Sequence, residues 1–228
     1  MRFQLILAVV AMTLPLSVQA ETIVDHLQLG VPDVDKGSRQ VADLTGVTPA
    51  FGGVHPGRGT ANALMSLGGR SYLELIGPAA GESPQTPMTR GLAALTKPSL
   101  RTFAVETTDI DAVAQAAGRA GLKVSGPAPG SRRTPDGQLL TWRSLNIEDR
   151  GFGGFMPFFI AWGSTPHPAT TSPAGAALKQ FRVEHPRAAE LQALYRALGL
   201  DIRVDPAAEP RMILEVSTPK GLVTFTGG

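Results

Sequence analysis

Cysteine is missing from all 228 residues, which excludes a disulfide framework, a thiolate metal site and a cysteine nucleophile. Any metal must therefore be held through nitrogen or oxygen. Aromatic residues are scarce, at 6% of the chain, and charge of neither sign dominates, with 21 basic against 19 acidic residues. No basic stripe interleaves with aromatics, so nucleic acid is not an expected partner. Long apolar runs are also missing. The run from Leu5 to Leu16 is too short to span a bilayer, and no later segment reads as a transmembrane helix.

That run has its own meaning. Met1-Arg2 precedes it and Ser17-Val18-Gln19-Ala20 follows, the pattern of a secretory signal peptide cleaved before Glu21. The competing reading, an uncleaved anchor, is disfavoured by the short apolar region. Residues 1–20 are thus expected to be removed, taking Arg2 and no acid with them and lowering the net charge from +2 to +1. The expectation is an exported protein, periplasmic or secreted, without membrane insertion after cleavage.

Two polar residues stand out against apolar strands: His26 in Asp25-His26-Leu27-Gln28-Leu29-Gly30-Val31, and Glu74 in Ser71-Tyr72-Leu73-Glu74-Leu75-Ile76-Gly77. Strand side chains alternate between faces. Leu27, Leu29 and Val31 therefore share one face and His26 and Gln28 the other, while Glu74 shares its face with Tyr72 and Ile76. A buried carboxylate is normally paired, protonated or metal-bound, so an imidazole and a carboxylate on two strands suggest a site. The plainer alternative is a structural histidine bonded to Glu74 without metal.

A strand, an acidic or proline-bearing turn, an amphipathic helix and a closing glycine occur three times. The strands are His26–Val31, Thr102–Glu106 and Gln180–Glu184. The helices span about Val34–Leu44, Ile110–Ala120 and Arg187–Leu198, and Gly46, Gly121 and Gly199 close them. Asp109 is placed to cap the second. Strand-like segments follow: 61–67 with 71–76, 139–146 with 156–162, and 211–217 with 222–226. A short helix is expected near Leu92–Leu95. The expected organisation is residues 21–96 as a first βαβββ unit with linker, 97–175 as a second and 176–228 as a third, packed as one globule.

Other residues carry weaker signals. Phe152, Phe155, Phe158, Phe159 and Trp162 concentrate aromatics in one hairpin, where Phe158, Ile160 and Trp162 would face the same concavity as Glu74. Arg58 and Asn62 are placed to hydrogen-bond a ligand. Arg132-Arg133 sits among Pro127, Pro129, Gly130 and Pro135 and reads as a solvated loop pair, His167 as solvated and His185 as a turn residue. Gly151-Phe152-Gly153-Gly154-Phe155 leads into a strand rather than a helix, so it is no phosphate loop.

The repeated βαβββ unit, with histidine on its first strand and glutamate on its last, resembles the glyoxalase-like branch of the vicinal oxygen chelate superfamily. The likeness rests on Asp25-His26-Leu27-x-Leu29-Gly30-Val31-Pro32-Asp33, His55-Pro56-Gly57-x-Gly59-Thr60-x-Asn62-Ala63-Leu64, Tyr72-Leu73-Glu74-Leu75-Ile76-Gly77-Pro78 and Pro157-Phe158-Phe159-Ile160-x-Trp162-Gly163. It implies an α+β fold of curled, half-open mixed sheets with helices outside, and a small organic ligand in the concave cleft. By resemblance, His26 and Glu74 are the metal positions (Zn, Fe, Mn or Ni), with Glu74 also the catalytic group; His55, Arg58, Asn62, Tyr72, Phe158 and Trp162 would meet the substrate. If Gly163 aligns with Gly77, Thr102 and Ile160 stand where the second unit should supply ligands, and Gln180 and Thr224 in the third. His55 would complete a triad of two histidines and a carboxylate; otherwise it bonds substrate or is a loop histidine. A metal-dependent lyase, isomerase or dioxygenase and a metal-free sequestering protein both fit. The unmatched third unit suggests a homodimer.

Overall fold

A computed structural model describes residues 23–81 and 85–228; the signal-peptide reading falls on residues outside that set. The elements of the first unit are β1 (Val24–Gly30), α1 (Val34–Thr45), β2 (Ala50–His55), β3 (Thr60–Ser66) and β4 (Tyr72–Pro78). Those of the second are β5 (Ser99–Glu106), α3 (Ile110–Arg119), β6 (Val124–Arg133), β7 (Leu139–Ile147) and β8 (Phe158–Trp162), with α2 (Pro87–Ala93) in the linker. The third segment follows a short α4 (Pro168–Thr171) and holds β9 (Ala177–His185), α5 (Ala188–Ala197), β10 (Val204–Pro206), β11 (Arg211–Thr218) and β12 (Gly221–Gly227).

The helices begin and end for local reasons. Asp33 and Asp109 each accept from a backbone N–H three residues on, at 2.8 and 2.9 Å, satisfying donors that the first turn leaves free. Gly46, Gly121 and Gly199 all adopt left-handed φ, at 77°, 72° and 75°, which ends a helix without a Cβ penalty. Gly37, which dilutes the apolar stripe of α1, has a packing reason. A Cβ there would come within 2.6 Å of Val31 Cγ1.

The first two units join in one eight-stranded sheet, ordered β2-β3-β4-β1-β5-β8-β7-β6. Within each unit the first strand lies parallel to the last, β1 on β4 and β5 on β8, and the units meet where β1 runs antiparallel to β5. The sheet curls until its edge strands β2 and β6 touch. Gly53, at φ 134°, makes the approach possible, because a Cβ there would lie 2.4 Å from Arg133 O. The convex face carries Leu27, Leu29, Leu73, Leu75, Phe103 and Phe159 into the main core. This is the α+β architecture the sequence implies.

The third segment departs from the repeat. Its four strands form a separate sheet ordered β10-β9-β11-β12, so β9 lies beside β11 rather than beside the last strand. Similar periodicity does not dictate strand order, and β10 is only three residues long. The segment covers the convex face instead: Phe181 and Tyr195 both meet Phe103 edge-on, at ring-centroid distances of 4.9 and 6.2 Å. Its apolar residues, among them Val183, Leu191, Tyr195, Leu214 and Val216, thus join the core of its own chain.

Two readings of the sequence are corrected here. Residues 124–133 form strand β6 despite their prolines, as an edge strand tolerates missing N–H donors. Alternation along it turns Arg132 inward, 4% exposed, and leaves Arg133 in solvent. His167, expected in solvent, is also 4% exposed, because it caps α4 and reaches Asp25. His185, expected in a turn, is the last residue of β9 and 7% exposed; its Nδ1 accepts from Arg187 N–H at 2.9 Å in the turn that follows.

Candidate functional site

The concave face encloses a cleft of about 380 Å³. His26, His55, Arg58, Asn62, Tyr72, Glu74, Phe158 and Trp162, the eight residues singled out by sequence, all line it. Gln28, Thr60, Trp142 and Arg132 join them. The last was missed, because proline-rich surroundings concealed a strand.

Glu74 lies at the centre, 5% exposed. Gln28, its partner in the β1–β4 register, donates to Oε2 at 2.8 Å, and Asn62 donates to Oε1 at 2.6 Å. Two imidazoles also approach, His26 Nε2 at 3.5 Å from Oε2 and His55 Nε2 at 3.7 Å from Oε1. Burial pushes the Glu74 carboxyl up, but the charges of His26 and His55 and the two amide bonds outweigh it and hold it below its ordinary value.

Each imidazole is fixed through its other nitrogen. His26 Nδ1 lies 2.5 Å from Asp25 Oδ1, and His55 Nδ1 lies 2.9 Å from Thr60 Oγ1. For His26, burial works against the charged ring, yet the hydrogen bond and charge of Asp25, with the charge of Glu74, raise its pKa above the ordinary value. Burial moves His55 the opposite way, and Arg132 adds to that against the pull of Glu74. The ring of His26 is stacked on Tyr72 at 4.7 Å and meets Phe158 edge-on at 5.4 Å.

Asp25 owes its place to a bulge. Val24 pairs with Val105 and His26 with Ala104, so β1 spends one more residue than β5. The extra residue, fully buried, sits behind His26 and also accepts from Trp162 Nε1 at 2.7 Å and His167 Nε2 at 2.9 Å. Burial raises the Asp25 pKa, while the His167 and His26 bonds bring it down to about 2 overall. A carboxylate behind an imidazole is how proteins commonly fix a metal-ligating ring.

The donor types around Glu74, two imidazole Nε2 atoms with both Nδ1 atoms engaged and one carboxylate, are those a divalent cation takes. The two Nε2 atoms approach opposite oxygens, however, and the three residues do not bring their donor atoms within 4.8 Å of one another. A second group, Asp25, Glu106 and His167, brings one donor atom each within 4.8 Å of one another. Its donors are spent, however: Arg70 Nε donates to Glu106 at 2.7 Å, and Asp25 holds three partners.

The second unit contributes no ligand. The parallel register pairs Ala104 with Phe158 and Glu106 with Ile160. Since His26 pairs with Tyr72, two residues before Glu74, Phe158 matches Glu74 if Thr102 stands for His26, and Ile160 does so only if Ala104 does. The Thr102 and Ile160 pairing expected from Gly163 is thus offset by two residues. All four residues share the inner face by alternation, so the conclusion is unchanged.

Comparison with known proteins agrees with this fold. The profile of the glyoxalase-like domain matches residues 24–199. Curated protein sequences give no match. Among solved structures, a hypothetical protein from Staphylococcus aureus is similar at 18% identity, covering 89% of this chain and 84% of that one with a TM-score of 0.63. A triple mutant of 4-hydroxymandelate synthase from Streptomyces coelicolor is similar at 18% identity, covering 90% of this chain and 62% of that one with a TM-score of 0.53. Methylmalonyl-CoA epimerase from Mycobacterium tuberculosis, at 19% identity over 69% of this chain and 97% of that one, has a TM-score of 0.48. At such identities the likeness is one of fold alone.

Proposed function

Since this chain belongs to the glyoxalase-like domain family, we propose that its cleft binds a small organic molecule at a divalent cation held by His26 and Glu74, with His55 as third ligand. The observation that carries this reading is the convergence of two imidazole Nε2 atoms, at 3.5 and 3.7 Å, on opposite oxygens of one buried carboxylate. A cation bound there would polarise a carbonyl or hydroxyl oxygen of the ligand. The chain itself supplies the rest. Asn62 and Gln28 hold the carboxylate, Asp25 holds His26, Tyr72 fixes the imidazole plane, and Phe158 and Trp162 form an apolar wall opposite the polar one. Glu74 is also the group placed to accept a proton from a ligand carbon or hydroxyl.

Elemental analysis after loading with Zn, Fe, Mn or Ni in turn, followed by dialysis, tests the reading. Near-stoichiometric retention is expected, and Glu74→Gln and His26→Ala should each abolish it. Retention of no ion by the unmutated protein would sink the cation. A metal-free sequestering protein is the second reading, favoured by one fact: Glu74 already accepts from two side-chain amides. We propose in addition that residues 1–20 direct export. The amino terminus of the secreted or periplasmic protein should then be Glu21, as read by mass spectrometry.

A further inference from the structure

Arg132 is a charge in an enclosed place without a salt-bridge partner, attracted by Glu74 only from a longer distance. Its residue is 4% exposed, yet among the described residues no carboxylate lies within 4.0 Å of it. The bond it makes is from Nη1 to the backbone carbonyl of Gly52, across the seam where β6 meets β2. That uses one of the five donors of a guanidinium. Among the described residues, the buried side-chain polar atom without a partner is Asn62 Oδ1, so the remaining nitrogens of Arg132 open onto the cleft. Glu74 attracts this charge through space but lies beyond 4.0 Å of it, and its oxygens accept from the amides of Gln28 and Asn62.

The rest of the lining points the same way. Glu74 is the one carboxylate among the cleft residues, against the guanidiniums of Arg132 and Arg58, while the His26 imidazole is paired with Asp25. Burying a guanidinium without a counter-charge is expensive, and the cost is recovered when an anion binds it. The flat fork matches two oxygens of a carboxylate or phosphate at once. Trp142 and Trp162, with ring centroids 5.5 Å apart, and Phe158 offer an apolar surface in the same cleft.

We propose that the ligand is a small organic oxyanion, a carboxylate or phosphate on an apolar body, and that Arg132 is the residue that binds its anionic group. This rests on the cleft being a small-molecule site, and it adds the charge class of the occupant. It does not require the cation.

The test uses the full-length mature protein at low salt and matched pairs of probes, observed by ligand NMR and calorimetry. The pairs are benzoate and benzamide, phenylacetate and phenylacetamide, and phenyl phosphate and phenol. Anions should bind at least ten-fold more tightly than their neutral partners, and whether carboxylates or phenyl phosphate lead identifies the group. Arg132→Lys keeps the charge and loses the fork, so it should reduce the preference several-fold. Because Arg132 also closes the seam, the wild-type comparison stands on its own if the variant fails to fold. Equal affinity within every pair would overturn the oxyanion but leave a neutral-ligand cleft. Binding of no probe would overturn it as well, while the elemental analysis decides the cation independently.

Discussion

The two halves of the barrel share a topology and differ in what they point inward. Along β1 and β4 the inner face offers His26, Gln28, Tyr72 and Glu74; along β5 and β8 it offers Thr102, Ala104, Phe158 and Ile160. The polar half is braced from behind, by a bulged Asp25 and by amides from neighbouring strands. Nothing comparable backs the other half, which is wall. Repetition of a unit thus provides a concave surface twice, while the cluster of paired polar side chains lies in one copy.

The contrast can be broken most severely at Asp25. Asp25→Asn removes the charge that His26, Trp162 and His167 share, and should cost about 3–5 kcal/mol, the usual penalty for breaking a buried pair. Urea unfolding reads this, and a loss below about 1 kcal/mol would show the network to be unimportant. Next is an attempt to make the apolar half resemble the polar one. Ile160→Glu places a carboxylate on the wall without an imidazole, and should lose roughly 3 kcal/mol through an unsatisfied buried charge. Stability equal to wild type would mean that wall already holds partners for it.

The pH dependence of unfolding sharpens the comparison. Asp25 is depressed from 3.8 to about 2, so its contribution is complete above pH 3.8 and is lost as pH falls towards 2. That is about 2 kcal/mol at most. His26 is shifted upward from 6.5, so its contribution is complete below pH 6.5 and is lost as pH rises through the raised value. His55, held below its ordinary value, works the other way, its contribution complete above pH 6.5 and lost as pH falls below it. The raised His26 is therefore read by difference: the stability advantage of wild type over His26→Ala should shrink as pH rises above 6.5, and an advantage that grows there would contradict it. The smallest effect belongs to Trp162→Phe, which keeps the aromatic wall and deletes one bond to Asp25. It should cost about 1.5 kcal/mol, and a calorimetric scan would detect it.

Much of this arrangement was legible in the sequence because strand alternation and helix ends are local. The parity of His26 against Leu27 and Leu29 gives the inner face, and the closing glycines locate the helices. The eight residues chosen from the motifs share one cleft for that reason. What escaped depends on distant contacts. Arg132 looked like a loop residue because Pro127 and Pro129 argue against a strand, yet at a sheet edge they cost little. His167 and Asp25 are 142 positions apart and meet only after the barrel forms. The strand order of the third segment is set by the convex face it must cover, which no periodicity within it records.

The bulge at Asp25 has a further consequence for reading related sequences. Val24 belongs to the convex core and His26 to the cleft, although residues two apart in a strand ordinarily share a face. Without Asp25 the two would be adjacent and would fall on opposite faces by simple alternation. The aspartate is therefore the extra residue of a bulge, one of two register shifts along the β1–β5 pairing. A one-residue gap before the histidine would leave a relative with the same cleft but an unsupported imidazole.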